Sequence, residues 1–318
     1  MQAGMRLSSP PPLNVLPGII HTDPGRRGLS RNPHCNLFTA TATDLASACQ
    51  NLTHHPAPRL AIVTGFFIPT ADPPGHETDG PLGALFLLRT CAALGIPARI
   101  ATDPPGIAAM RAGLRYCDLP GDWLCELPPP TADAWDRPSS HLLGYFPTHY
   151  VFIERAGPNA EGRCLTMRGV DITEQMGPVH RWIDNANPAA DANNSPVTIG
   201  IGDGGNEIGM GKIDPAILAD NIPLGRQIHC RIATDYLIVA GVSNWGSYAL
   251  AAGLFLLRRQ KPPPGLFDPQ AERHLLEIMV REGLLVDGVT GRPEVSVDGL
   301  AWEAYIEPLI RMREMLAW

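Results

Sequence analysis

The chain has 318 residues; 44% are hydrophobic, 18% are charged, and the net charge is −7. That length suits one large α/β domain or two smaller ones, and the acidic balance, without a Lys/Arg run, argues against nucleic acid and membrane as partners. Seven scattered cysteines without a Cys-x-x-Cys pair indicate reduced thiols, and no secretory signal or membrane-length apolar run is present. We therefore expect a cytoplasmic protein.

Predicted strands and helices alternate along the chain. Residues 1–25 are expected to form an irregular arm, and residues 26–318 a single domain in which 105–145 could be an insertion or a lid. The predicted strands are 59–64, 98–102, 149–153, 197–201 and 236–240. The predicted helices are 43–52, 83–94, 174–186, 245–258, 269–282 and 302–316. The apolar helix 245–258 could be core or a contact in a homo-oligomer.

This alternation predicts an α/β fold of three layers: a mostly parallel, Rossmann-like sheet with helices on both faces and a loop-rich insertion. In such sheets the ligand lies beyond the carboxyl ends of the strands. Polar clusters follow the predicted strands at Thr64-Gly65, Asp103, Glu154-Arg155, Gly202 to Glu207, and Ser243-Asn244. Their shared position indicates that they form one site.

The segment from Val197 to Lys212 is the most informative of these clusters. A β-branched run ends in glycines that surround Asp203 and Glu207, and a helix-like start is expected to follow. Glycines allow tight turns and close approach to a ligand, and a helix start would favour an anion. The carboxylates could also hold Mg²⁺ or Mn²⁺, although the sequence requires no cofactor. The alternative is a glycine turn in which Asn206 and Glu207 cap a helix.

Several familiar site types find little support in this sequence. The Gly200-x-Gly202-x-x-Gly205 pattern matches a dinucleotide fingerprint only weakly, because Asp203 would face the pyrophosphate. Phosphatases with a similar metal-binding loop need an Asp-x-Asp motif, which the chain lacks. Paired histidines of the zinc-peptidase type and a Gly-x-Ser-x-Gly elbow are also missing from the sequence.

Other polar candidates each have a structural alternative. Glu77 and Asp79 precede a predicted helix, where acidic side chains also complement the helix dipole. Arg155 or Arg168 could clamp a substrate carboxylate, but a lone arginine is usually an ion-pair partner. Ser243-Asn244 could contact substrate or cap the next helix.

A series of motifs, in order along the chain, resembles the D-glutamate cyclase family. These motifs are 63–69, 77–84, 153–155, 167–172, 199–212, 240–246, 287–290 and 296–299. The resemblance runs from about Arg26 to the C-terminus. It implies a lyase that converts D-glutamate to 5-oxo-D-proline and water, with the α-amine attacking the side-chain carboxyl carbon.

Such a ring closure needs a base for the amine, an acid or cation for the leaving oxygen, and anchors for the substrate. Under the resemblance, Asp203 and Glu207, with or without a metal, would handle the amine and the leaving oxygen. Glu77 or Asp79 would be the second acid–base group. The remaining candidates would bind substrate. The N–H groups of Gly204 and Gly205 would bind the oxyanion, and Arg155 or Arg168 would bind the α-carboxylate. The rest of the substrate would contact Thr64, Gly65, Asn206, Ser243 and Asn244.

Two other functions stay open on the sequence alone. The same site could serve a lyase or hydrolase of another small amino or hydroxy acid. It could also bind an amino acid without turning it over. In each case the expected partner is a small molecule.

Overall fold

The computed structural model describes residues 12–184 and 195–317. The strands in these ranges are β1 (Leu60–Thr64), β2 (Phe67–Ile68), β3 (Gly75–His76), β4 (Ala98–Thr102), β5 (Leu124–Glu126), β6 (His149–Ile153), β7 (Val197–Gly202) and β8 (Tyr236–Val239). Strands β2 and β3 form an antiparallel hairpin. The other six form one parallel sheet in the order β5-β4-β1-β6-β7-β8.

The strand order confirms the expected Rossmann-like architecture, because strands are added on both sides of β1. Strand β1 lies between β4 and β6, with Leu60 opposite Ala98 on one side and His149 on the other. Counted in chain order, the six sheet strands run 3-2-1-4-5-6 across the sheet. The direction of winding therefore reverses between β1 and β6, which is where sheets of this kind open a ligand crevice.

The strands read as continuous apolar runs because both faces of the sheet are covered. In β1, Leu60 and Ile62 belong to one hydrophobic core, while Ala61 and Val63 belong to a second core on the opposite face. Successive side chains of a strand point to opposite faces, so an unbroken apolar strand can fill two cores.

Helices form the outer layers. In the described residues the α-helices are α1 (Pro17–Ile20), α2 (Leu37–Ala40), α3 (Asp44–His54), α4 (Pro81–Ala93), α5 (Pro104–Tyr116), α6 (Ser139–Leu143), α7 (Arg181–Asp184), α8 (Pro215–Asn221), α9 (Gly225–Ile228), α10 (Ser243–Arg258), α11 (Pro269–Gly283) and α12 (Trp302–Met315). Helix α10 packs on α3 and α4 beneath one face of the sheet, and α11 packs on α5. Short helices and loops cover the other face. Helix α10 is buried within the chain from Ser243 to Leu256, so it is core.

The predicted helix 174–186 is wrong in the part that the structure describes. A 3₁₀ turn at Thr173–Gln175 and the separate short α7 replace it. Pro178 disfavours helical backbone at Gly177. Both polar backbone groups of Gly177 are instead bonded to side chains, its N–H to Asp103 and its carbonyl to Arg155. Residues 185 and 186 lie outside the described ranges.

Two boundary expectations need correction. Of the arm expected at 1–25, residues 1–11 lie outside the described ranges, but Leu16, Ile19 and Ile20 are buried in the main core. The apolar side chains of this Pro-rich segment therefore anchor it. Of residues 105–145, expected as an insertion or a lid, the part up to Glu126 contributes α5 and the edge strand β5 to the sheet unit. Loop-rich structure with short helical turns begins after Glu126.

Two expectations about the chemistry of the chain can be compared with the structure. All seven cysteines are free thiols, as their irregular spacing predicted. Across residues 12–184 and 195–317, no helix combines the length and apolarity needed to cross a bilayer.

Candidate active site

A cavity of about 270 Å³ opens at the carboxyl ends of the central strands. Its floor is acidic and is assembled from segments that are far apart in the sequence. The acidic residues lining it are Glu77, Glu154, Asp203, Glu207 and Asp298. The cavity therefore occupies the position that the winding reversal between β1 and β6 predicts for a ligand.

Three buried carboxylates meet at this floor: Asp79, Glu154 and Asp203. Each offers an oxygen that lies within 4.8 Å of the others. Glu154 directly follows β6 and Asp203 directly follows β7, so the parallel sheet brings them together. Glu154 has a φ of 43°, a left-handed conformation that is unfavourable for a residue with a Cβ and is typical of functional positions.

Arg27 supplies a cation to the same floor. Its Nη1 donates to Asp203 Oδ2 at 2.8 Å and to the Gly241 carbonyl at 3.1 Å, and its Nη2 lies 2.7 Å from Asp298 Oδ1. The Asp23 carboxylate holds the turn that carries Arg27 by accepting three backbone N–H groups. Burial lowers the pKa of Arg27, but Asp203 and Asp298 outweigh it, so the net shift is upwards and the guanidinium stays charged.

Four carboxyls at or beneath the floor hold their protons more tightly than exposed carboxyls do: Glu77, Asp79, Glu154 and Asp203. Burial, followed by repulsion from Asp203 and Glu207, raises the pKa of Glu154 well above its ordinary value. Burial and the charge of Asp298 raise the pKa of Glu77 in the same direction, and that of Asp79 to about 7. Burial also raises the pKa of Asp203, although Arg27 opposes the shift. A floor of this kind contains both acids and bases near neutral pH.

Glu207 has a different task from the one expected. Its Oε1 accepts the N–H groups of Asp203 and Gly204 at 2.8 and 2.5 Å, and its Oε2 accepts the N–H of Gly205 at 2.7 Å. The N–H groups that were expected to form an oxyanion hole are therefore taken. Both oxygens of Glu207 thus hold the loop through backbone hydrogen bonds.

The helix-like start expected after the glycine loop is also wrong. Residues 203–213 form turns and isolated bridges, and α8 begins only at Pro215. Gly205 has a φ of +101°, and a Cβ there would lie 2.5 Å from Leu218 Cδ2. Glycine is therefore needed at this position to let the loop fold back on Glu207. The next residue, Asn206, lines the cavity and donates from Nδ2 to the Leu165 carbonyl at 2.7 Å.

Asp79, Ser243 and Asn244 support the floor from below. Asp79 accepts the backbone N–H groups of Ser243 and Asn244, both at 2.8 Å, at the start of α10. Ser243 Oγ donates to Glu154 Oε2 at 2.6 Å. Both Ser243 and Asn244 lie behind the described cavity lining, so the structure assigns them contacts with the carboxylates rather than with the cavity.

The two arginines expected to clamp a carboxylate are in different environments. Arg155 is fully buried and forms an ion pair with Asp103, and its Nη2 donates to Gly177. That side chain joins the ends of β4 and β6, which corrects its expected role in substrate binding. Arg168 is exposed at the mouth of the cavity, where its Nη2 makes one long hydrogen bond of 3.3 Å to the Val289 carbonyl.

Thr64 and Gly65 are also placed beneath the site. Both are buried at the end of β1, and neither belongs to the described cavity lining. Gly65 has a φ of +116°, and a Cβ there would lie 2.5 Å from the His76 ring. The conformation and the space both require glycine, so Gly65 shapes the turn into the hairpin β2–β3.

Three residues of the floor have no role assigned to them by the sequence analysis: Arg27, Glu154 and Asp298. Glu154 follows the same predicted strand as Arg155, but adjacent residues face opposite ways and the wrong neighbour was chosen. Asp298 lies within a quoted family motif and Arg27 within a two-cation turn. The strand-end rule places Glu154 and Arg155 together in the site but does not choose between them.

The residues at the floor fit a divalent cation, with a different ligand set from the one expected. Asp79, Glu154 and Asp203 each bring an oxygen within 4.8 Å of one another, and Glu207 is not part of this group. In addition, the buried Asp298 Oδ2 has no hydrogen-bond partner within the described structure. Carboxylate oxygens are the ligands that Mg²⁺ and Mn²⁺ prefer.

Known proteins resemble this chain over most of its length. A family profile described as "D-glutamate cyclase-like, C-terminal" matches residues 16–313. A curated human protein named "D-glutamate cyclase, mitochondrial" is 30% identical over 327 aligned positions, which cover 91% of this chain. The match covers 49% of the human protein, so the chain spans about half the length of that relative.

Proposed function

Because this chain belongs to the D-glutamate cyclase-like family, we propose that it is a hydro-lyase that closes D-glutamate to 5-oxo-D-proline and water. The observation that carries the proposal is the convergence of Glu154 and Asp203 on one buried floor, with pKa values raised by burial. Ring closure needs a base and an acid within reach of one substrate, and paired carboxyls in such an environment supply both.

In the proposed reaction, an ionised carboxylate of the Glu154–Asp203 pair takes a proton from the substrate ammonium group. The free amine attacks the γ-carboxyl carbon, a C–N bond forms, and the nitrogen gives a second proton to a floor carboxylate. The floor carboxyls return both protons to the leaving carboxylate oxygen, its C–O bond breaks, and it departs as water. Glu77, which lines the cavity, is the second acid–base group in this scheme.

The oxyanion that forms during attack needs a donor other than the N–H groups of Gly204 and Gly205, which Glu207 occupies. A buried carboxylic acid that stays protonated near neutral pH can donate a hydrogen bond to such an oxygen. The raised pKa of Glu77 makes it the candidate for that task.

Arg168 is the proposed anchor for the α-carboxylate. It is exposed at the cavity mouth and makes one long hydrogen bond within the described part of the chain, so its guanidinium retains donors for a substrate. An α-carboxylate held there would leave the amine and the γ-carboxyl directed at the acidic floor. Fixing both groups in one bent conformation is what an intramolecular attack requires.

We further propose that Asp79, Glu154 and Asp203 hold a Mn²⁺ or Mg²⁺ ion. When bound, a divalent cation would offset the negative charge of the floor and polarise a substrate carboxyl oxygen. With an ion bound there, Glu77, which is not among the ligands, would be the acid–base group, while Arg27 balances Asp203 and Asp298 and Glu207 holds the loop.

The proposed reaction can be tested by chiral chromatography of 5-oxoproline after incubating pure protein with D-glutamate or L-glutamate. Parallel samples contain Mn²⁺, Mg²⁺ or a chelator. We expect 5-oxo-D-proline from D-glutamate, and its loss with the chelator. Saturable binding of glutamate without product from either isomer would contradict the proposal and favour a binding protein.

The cellular compartment is a separate proposal. The name of the human relative places that protein in mitochondria. For this chain we propose the cytoplasm, a reducing compartment that suits seven free thiols. Cell fractionation followed by immunodetection would test this, and recovery with an organelle fraction would contradict it.

A further inference from the structure

The cavity has an apolar wall that the proposed substrate does not use. Above the acidic floor it is lined by Phe66, Ile68, Pro69, Met167, Val170 and Val289. D-Glutamate carries charged groups at both ends of a short methylene chain and has no apolar substituent to place against such a wall. The cavity of about 270 Å³ is close to the lower limit of pockets that hold drug-sized ligands, roughly 300 Å³.

The upper part of this wall is exposed to solvent. Val170 and Val289 are 38% and 49% exposed and come from separate loops that Arg168 joins through the Val289 carbonyl. Exposed apolar side chains grouped at the mouth of a cavity indicate a surface that a ligand covers. They lie beside the proposed anchor for the α-carboxylate, on the side from which a substrate enters.

Charge at the floor points in the same direction. Glu77, Glu154, Asp203 and Asp298 face the cavity, and Arg27 is already engaged by two of them. A free γ-carboxylate would add one more negative charge to this crowded floor, so it could bind only where a floor carboxyl is protonated or a cation offsets the charge. A γ-carbonyl without charge needs neither condition and would still be open to attack by the amine.

From these two features we propose that the site also cyclises γ-glutamyl amides with an apolar substituent on the amide nitrogen, releasing the amine. This inference rests on the proposed function, because the same floor would close the same ring. The uncharged γ-carbonyl would face the carboxyls, and the substituent would lie along Val170, Val289 and Pro69.

The atoms of this reaction balance without a further reactant. The α-amine loses a proton to a floor carboxylate and attacks the γ-carbonyl carbon, forming the lactam C–N bond. The original C–N bond to the substituent breaks, and the leaving nitrogen takes a proton from a floor carboxylic acid. The products are 5-oxoproline and a free amine, and no water is consumed or released.

The test compares D-glutamate with the primary, methyl and butyl γ-amides of D-glutamate, following both 5-oxoproline and free amine. We expect kcat/KM for the butylamide to exceed that for the primary amide by roughly tenfold, since each buried methylene adds attraction to the wall. In the variants Val170→Ser and Val289→Ser this ratio should fall towards one. Val15→Ser, at an exposed valine remote from the cavity lining, is the matched control and should keep the ratio.

The outcomes separate this inference from the proposed function. Turnover of D-glutamate with no preference for the butylamide, or with no amine released, would overturn the inference and leave the cyclase proposal standing. No 5-oxoproline from any of the four compounds would overturn both. A butylamide preference that survives both serine variants would show that the named wall does not bind the substituent.

Discussion

Asp79 caps the start of helix α10, and Asn244, in the first turn of α10, caps the start of helix α4. Asp79 accepts the N–H groups of Ser243 and Asn244 at the start of α10, and Asn244 Oδ1 accepts those of Gly80 and Gly83 at the start of α4. Helices α4 and α10 pack side by side beneath the sheet. The carboxylate that lies against Glu154 and Asp203 is thus fixed by the same contacts that join two core helices.

This reciprocal capping predicts a loss of stability when Asn244 is truncated. Asn244→Ala leaves the buried N–H of Gly83 without an acceptor, whereas the N–H of Gly80 keeps Asp79 Oδ1 at 3.0 Å. Because an unsatisfied buried group costs about 1–3 kcal/mol, we expect the free energy of unfolding, measured by urea titration, to fall by roughly that amount. Asn14→Ala, at an exposed asparagine, is the control, and an equal small effect at both positions would contradict the capping role.

Glu207 is predicted to organise the glycine loop rather than to transfer protons. Glu207→Gln replaces one acceptor oxygen by an NH₂ group that would face backbone N–H groups, so both stability and turnover should fall. A loss of roughly 1–3 kcal/mol is expected for the unpaired donors, whereas Glu161→Gln, at an exposed position, should have little effect. The pH profile of the residual activity should keep its shape; loss of one limb of that profile would instead assign an acid–base role to Glu207.

Arg27 is predicted to set the pH range of activity through Asp203. The guanidinium opposes the upward shift of the Asp203 pKa, so Arg27→Met should raise that pKa further. If the ionised form is the base, the acid limb of the kcat–pH profile moves to higher pH, by roughly 1–3 units. The neighbouring exposed Arg26 provides the control variant Arg26→Met, and an unmoved acid limb in Arg27→Met would refute this electrostatic role.

Glu272 predicts a pH dependence of stability that is separate from the cavity. This buried carboxyl accepts a hydrogen bond from Tyr248 at 2.8 Å and lies 3.3 Å from Arg89, and burial raises its pKa from 4.5 to about 7. Between pH 4.5 and about 7, the folded state therefore holds a proton on Glu272 that the unfolded state releases. The stability that protonated Glu272 contributes is complete below pH 4.5 and is lost as the pH rises through about 7.

The measurement is the free energy of unfolding between pH 4.5 and 7 for the wild type and Glu272→Gln. Relative to the variant, which cannot titrate there, the wild type should lose roughly 3 kcal/mol over that interval. Glu277→Gln on the same helix should behave as the wild type. Parallel pH curves for the wild type and Glu272→Gln would show that Glu272 titrates normally.

The sequence predicts the architecture well because apolar strand runs and helix periodicity are local signals. The sequence also indicates where the site lies, because the polar clusters that follow the sheet strands all lie at the same edge of the sheet. Local signals could not pair Arg27 with Asp203, which are 176 positions apart, or show that the Glu207 carboxylate folds back onto its own loop. The left-handed backbone at Glu154 and the burial that distinguishes Arg155 from Arg168 likewise depend on tertiary packing.

The most direct test of the central claim is the turnover of D-glutamate to 5-oxo-D-proline by Glu154→Gln. Thermal unfolding is measured alongside, and Glu314→Gln, at an exposed position on α12, is the control. We predict at least roughly a hundredfold fall in kcat for Glu154→Gln, with a folded protein and a fully active control. Near-normal turnover by folded Glu154→Gln would contradict the claim that the buried acidic floor carries out the ring closure.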